Sequence, residues 1–282
     1  MNTNFADVLT DAIRRHGSPA CVGLDPVLEN LPQAVRATHH EPLAAIREFS
    51  HGVVRAVAGV VPALKPQSAC FERYGAAGVS VLEEIVAEAV RLGMVVVWDA
   101  KRGDIGTTSA HYAAAAVRLG AQSVTVNGYL GRSGIAPFLE RNLGVFVLVR
   151  TSNPDSDELQ AQVLADGRTV AQAMADQVAS IGAAVRGACG MSAVGAVVGA
   201  TKSAEARELR ERMPDQYFLV PGYGAQGGTA EDIRGMLRPD RGGVLVTASR
   251  SVIYAKGETE WFESVRGAAV KLADELRAVV RG

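Results

Sequence analysis

Eight short apolar runs recur along the chain, separated by longer stretches whose apolar residues fall at helical spacing. The runs are ACVGL (20–24), PALK (62–65), MVVVWD (94–99), SVTV (123–126), GVFVLV (144–149), VGAVVG (194–199), YFLV (217–220) and GVLVT (243–247). A strand covered on both faces reads as continuous Val/Ile/Leu instead of alternating, so these runs predict a parallel sheet. Between them, segments such as PLAAIREFSHGVVRAVAGVV and GVSVLEEIVAEAVRLG carry the spacing of amphipathic helices. Eight such units in about 250 residues predict an α/β fold of the (β/α)8 barrel type, with an additional N-terminal helix near 3–16. A doubly wound sheet is the alternative, but it ordinarily shows a GxGxxG turn after an early strand, and the first strand here ends in GLDP. Residues 1–282 are read as a single barrel domain.

In such a barrel the strand C-termini meet at one face, where active sites are built, so the polar residues just past each apolar run are the informative ones. They are Asp25 after the first run, Lys65 ending the second, Asp99 and Lys101 at the third, Asn127 after the fourth, Ser152 beyond the fifth, Gln226 past the seventh and Arg250 past the eighth. Asp99 and Lys101 are two apart on a strand, which predicts that both side chains leave the same face with Cβ atoms roughly 7 Å apart. Asp104 follows in the turn that begins the next helix. A buried lysine between carboxylates stays protonated, which suits a proton donor and not a Schiff-base nucleophile. D-x-K-x-x-D alone is compatible with a structural ion-pair network. Lys65 on the neighbouring strand end makes that array a costly one for stability alone, because desolvation can exceed the Coulombic gain. The glycine-rich VPGYGAQGG (220–228) and Arg250 in VTASRSVIY suit a phosphate, as loops after strands seven and eight of this fold often do. A long connection after the fifth run, with a polar start, predicts an excursion over the active-site end.

Composition narrows the classes. The chain has 282 residues, 48% hydrophobic and 21% charged, with 29 Lys and Arg against 30 Asp and Glu. A net charge of -1 gives no electrostatic footprint for nucleic acid or an anionic membrane. No apolar run approaches the roughly 20 residues of a membrane span, and the start lacks a signal peptide's apolar core, so the expected location is the cytoplasm. Three cysteines, Cys21, Cys70 and Cys189, fall outside any metal or disulfide spacing and read as small buried hydrophobes. The five histidines form no ligand pattern either.

The blocks GLDP (23–26), LKPQSACFERYG (64–75), DAKRGDIGTTSAHY (99–112), VNGYLG (126–131), SNP (152–154), VPGYGAQGG (220–228) and ASRSVIYA (248–255), in this order, resemble orotidine 5′-phosphate decarboxylase in its longer bacterial subgroup. The resemblance implies decarboxylation of orotidine 5′-phosphate to UMP without metal or organic cofactor. It makes Lys101 the proton donor to C6 of the pyrimidine and puts Asp99 beside the departing carboxylate. Lys65 would bridge the charges and the ribose, and Asp25 would bind a ribose hydroxyl. It implies a homodimer in which Asp104 and Thr108 reach the partner's site. Ser152 would contact the pyrimidine amide, Gln226 and Arg250 the base and phosphate end, and Asn127 would belong to the same binding site. One departure is visible: the subgroup has VNPYLG, so Gly128 stands here where a proline is expected. The rival within the wider superfamily is a Mg²⁺-dependent sugar-phosphate decarboxylase or synthase, whose enediolate chemistry needs carboxylates free to take the metal. A second, from another class, is a phosphate- or nucleotide-binding protein that keeps the barrel without catalysis.

Overall fold

The apolar runs become strands because each is covered on both faces: β1 (Ala20–Leu24), β2 (Ala63–Pro66) and β4 (Ser123–Val126) are buried at every position. In the computed structural model, which describes residues 4–224, 227–256 and 260–282, these strands are joined by β3 (Val95–Arg102), β5 (Gly144–Arg150), β6 (Ser192–Val198), β7 (Gln216–Pro221) and β8 (Val244–Ala248). Each strand pairs in parallel with the next, and β8 pairs with β1, closing a barrel in sequence order. Every strand therefore ends at the same rim. This is the (β/α)8 barrel that the hydrophobic pattern predicts, with β1 and β4 at their expected bounds and the other strand ends displaced by at most two residues, except at the end of β3.

The end of β3 departs from simple alternation. Trp98 pairs with Val124 and Arg102 with Val126, so β3 takes four steps while β4 takes two. The surplus forms a bulge in which Lys101 has φ 45°, a left-handed backbone rare for a residue with a side chain. The same-face argument for Asp99 and Lys101 thus does not hold; the bulge, not the pleat, orients Lys101.

Apolar residues form two layers. The larger lies between strands and helices, for example Val81, Leu82, Ile85 and Val86 of the helix Gly75–Arg91. The smaller fills the barrel interior and includes Phe5, Leu9, Val95, Val97, Phe146 and Leu219. The N-terminal helix, Phe5–His16, starts where the Asn4 side chain accepts from Ala6 N and stops at Gly17 in the left-handed region. It plugs the rim opposite the strand C-termini: the Phe5 ring meets Phe146 edge-on at 5.9 Å, in space that only a glycine at 144 leaves open. Asp7 holds this plug by accepting from Ala188 N and Cys189 N. All three cysteines are free, but only Cys21 is fully buried; Cys70, in the middle of the helix Ser68–Glu72, and Cys189, in the loop before β6, are partly exposed, a correction to the expectation of three core residues. Among the described residues no helix is long and apolar enough to cross a membrane.

Candidate active site

Lys65, Asp99 and Lys101 meet at the strand C-termini. Lys65 Nζ donates to Asp99 Oδ2 at 2.5 Å and Lys101 Nζ to Asp99 Oδ1 at 2.7 Å. Burial alone would raise the Asp99 pKa, but the two ammonium charges outweigh it and hold the carboxyl at about 2. Burial likewise opposes the charge on Lys65, and the carboxylates of Asp99 and Asp25 reverse the effect, raising it to about 12. Asp99 and Lys65 are therefore both ionised near neutrality. The side chains of Lys65 and Asp99 are each 8% exposed, whereas Lys101 is 49% exposed. The buried lysine is Lys65; Lys101 is the ammonium that faces outward, toward whatever occupies the barrel mouth.

Asp104 does not join this array within one chain, where the resemblance implies that it serves the site of a partner subunit. It lies beyond the bulge, its Oδ1 accepts from Ile105 N at 2.8 Å, and among the described residues it makes no ion pair. Thr108 is exposed in the first turns of the following helix, Gly106–Leu119. Around both lies an exposed apolar surface formed by Ile105 (55% exposed), Tyr129 (79%) and Leu130.

Asp25 follows β1. Its Oδ2 accepts from Ser249 Oγ at 2.5 Å, and its buried Oδ1 has no partner among the described residues, leaving one acceptor for a ligand. Ser249 Oγ also lies 3.1 Å from Gly23 O, an approach that the missing Cβ at Gly23 allows, since one there would sit 2.9 Å from Ser249 Cβ. Tyr254 completes the link between the first and last strands, its hydroxyl donating to Asp25 O and accepting from Val27 N.

The other expected positions are spread around the rim. Asn127 follows β4, but its Oδ1 accepts from Tyr129 N and caps the turn Gly128–Leu130, a structural duty. Gly128 fits that turn tightly: a Cβ there would lie 2.6 Å from Val147 Cγ1 and 2.7 Å from Met174 Sδ, so a proline has no room. Ser152 lies against Gly199, where a Cβ would come within 2.8 Å of the serine Cβ. Arg250 opens the helix Arg250–Ile253 and lines a cavity of about 770 Å³ with Arg36, Tyr254 and Lys256. Gln226 lies outside the described residues; beside it Gly222, Gly224 and Gly227 all have positive φ, so the glycine-rich loop needs its glycines for its turns.

Several participants escape a reading of sequence alone. Thr125 Oγ1 contacts both Asp99 and Lys101, and its only signal is a hydroxyl inside the run SVTV. Arg150, 1% exposed, donates to Glu205, Asp157 and Ser156 and so ties down the excursion after β5. Arg102 pairs with Glu72 and stacks between Trp98 and Tyr112 on the outer side of β3. Among the described residues no three His, Cys, Asp or Glu side chains are placed to hold a metal ion.

Comparison with known proteins agrees with this geometry. Residues 18–264 match the family model described as Orotidine 5′-phosphate decarboxylase / HUMPS family. The protein of Rhodopirellula baltica named orotidine 5′-phosphate decarboxylase is 40% identical over 299 residues, covering 97% of this chain and 99% of its own length. That of Roseiflexus castenholzii, with the same name, is 39% identical over 282 residues and 99% of each chain. The solved structure of Leishmania donovani OMP decarboxylase superposes with a TM-score of 0.82 at 32% identity, over 99% of this chain and 100% of that one. A closed eight-stranded barrel, a lysine–aspartate–lysine array at its mouth and full-length similarity together establish that the chain belongs to the orotidine 5′-phosphate decarboxylase / HUMPS family.

Proposed function

We propose that the chain converts orotidine 5′-phosphate to UMP and CO2, the last step of de novo UMP synthesis, with residues 1–282 acting as one catalytic unit in the cytoplasm. The observation that carries this reading is the outward-facing Lys101 ammonium held on the buried Asp99 carboxylate. Loss of CO2 breaks the C6–carboxylate bond and leaves the electron pair on C6, where no adjacent π-system readily takes it up. Without a cofactor as electron sink, the protein must stabilise that charge and then protonate it. Lys101 does both: its ammonium stabilises the developing carbanion and transfers a proton to C6, and the neutral amine regains a proton from solvent. Asp99 keeps the ammonium charged and sits beside the departing carboxylate, and Lys65 keeps Asp99 ionised in a buried place.

In this reading the free Oδ1 of Asp25 takes a ribose hydroxyl. Ser152 contacts the pyrimidine amide, Asn127 borders the base, and Gln226 and Arg250 hold the base and phosphate end. Binding energy from the remote phosphate helps orient the reacting carbon. Asp104 and Thr108 complete the site of a second copy in a homodimer; the exposed Ile105, Tyr129 and Leu130 around them favour this, since contiguous exposed apolar surface marks interaction sites. The metal-dependent rival is disfavoured because both Asp99 oxygens are engaged by ammonium groups.

The test is the absorbance change of orotidine 5′-phosphate with purified protein in EDTA, beside Lys101→Ala. Turnover to UMP by the wild type and a loss of at least ~10²-fold in the variant are expected for a general acid that also stabilises charge. A folded wild type without turnover in EDTA refutes the proposal; recovery with Mg²⁺ points to the rival, and UMP binding without turnover to a binding protein.

A further inference from the structure

Lys101 occupies a conformation that its own chemistry disfavours. With φ 45° it lies in the left-handed region, which a residue with a Cβ keeps only where neighbours hold it. The bulge also removes its N–H from the ladder, which resumes only where Arg102 O accepts from Asn127 N at 2.8 Å. The missing acceptor comes from a side chain: Lys101 N donates to Thr125 Oγ1 at 3.0 Å. The same hydroxyl has one proton to give, and Asp99 Oδ1 stands 3.0 Å from it. That oxygen is the one Lys101 Nζ holds at 2.7 Å. Thr125 is 1% exposed and buried under the array, so water does not readily take over either bond.

We propose that Thr125 is a positioning residue for the reaction, its one hydroxyl joining the Lys101 backbone to the Asp99 carboxylate and so fixing where the Lys101 ammonium stands. The inference rests on the decarboxylase reading. Valine matches threonine in shape but can neither accept from Lys101 N nor donate to Asp99. In Thr125→Val the bulge loses its acceptor, Asp99 Oδ1 loses a donor, and the ammonium is free to shift. A displacement of about 1 Å at a reacting group costs on the order of 10²-fold in rate.

The experiment compares wild type, Thr125→Val and Thr125→Ser by steady-state decarboxylation, UMP affinity and thermal midpoint. The expected result is a kcat lowered by ~10²-fold in Thr125→Val with KM and UMP affinity nearly unchanged, and most of kcat restored in Thr125→Ser, which keeps the hydroxyl. A merely structural threonine would instead lower kcat only in proportion to the folded fraction, or lower it equally in both variants; either result overturns the proposal, as does wild-type kcat in Thr125→Val. Should Thr125→Val fail to fold, Thr125→Ala is read by the same criteria. Failure of both alongside a folded serine variant marks the hydroxyl as structural and overturns the positioning role. Absence of turnover in the wild type is a separate result, because it refutes the underlying reaction before any variant is compared.

Discussion

Asp99 is charged in a place where burial penalises charge, and the sign of its shift fixes how stability depends on pH. Its carboxyl is held at about 2 against an ordinary 3.8, so the unfolded chain binds that proton before the folded one does. The stabilisation is fully present above pH 4 to 5 and is lost as pH falls through the window down to 2. It amounts to roughly 2 kcal/mol in all, with about 1 kcal/mol gone by pH 3. Urea unfolding at stepped pH between 5 and 3 is expected to show a shallower dependence in Asp99→Asn than in wild type; equal slopes would mean that Asp99 is not depressed. Lys65, raised to about 12 from 10.5, works the other way, its contribution being present below 10.5 and lost as pH rises through 12. At this scale the sequence makes the charged residues visible, because charges that end apolar runs stand out. It hides Thr125 and Ser249, since hydroxyls are common in strands and only the fold decides which of them meets a carboxylate.

Among elements, the strands and most of their ends are legible because burial on both faces leaves continuous apolar runs, whereas the end of β3 is not. A bulge is set by the partner strand, here β4, and no pattern within β3 announces it. The excursion after β5 is legible as a polar, irregular connection but its anchoring is not, because Arg150 looks like any charge at a strand end. In the structure its guanidinium reaches Glu205 in the helix Ser203–Arg212 with two bonds, 2.8 and 2.9 Å, and Asp157 in the excursion at 2.5 Å. Lys202 Nζ adds a second tie to Asp157 at 2.6 Å. Arg150→Met is expected to cost about 1–2 kcal/mol, less than a fully buried pair, because Glu205 and Asp157 stay half-exposed and can turn to water. Since Ser152 sits two residues beyond Arg150, KM for orotidine 5′-phosphate is expected to rise more than kcat falls. Thermal unfolding and steady-state kinetics on the variant check both statements, and an unchanged KM would dissociate the anchor from substrate binding.

For the whole molecule, the separation of Asp104 from the array predicts that a single chain is incomplete. Chains carrying Asp104→Ala and chains carrying Lys101→Ala are each expected to be nearly inactive. Unfolded together and refolded, they should regain turnover through hybrid dimers that hold one intact site. Sedimentation of the mixture checks the assembly, and no regain from a dimeric mixture would mean that each site is built from one chain. The number of strands and the presence of the N-terminal helix can be read from the sequence; the place of that helix, closing the rim opposite the site, depends on distant contacts, Phe5 with Phe146 and Asp7 with partners 181 and 182 residues away. Asp25 shows the same long reach, being steadied by Ser249 and Tyr254 across 224 and 229 residues. On the ribosome this becomes a matter of timing. Asp25 is synthesised early and its supports emerge almost last, so a nascent or prematurely terminated chain ending before residue 249 can carry both lysines and still lack a steadied contact for the sugar. Catalytic competence thereby reports that synthesis has run past the eighth strand.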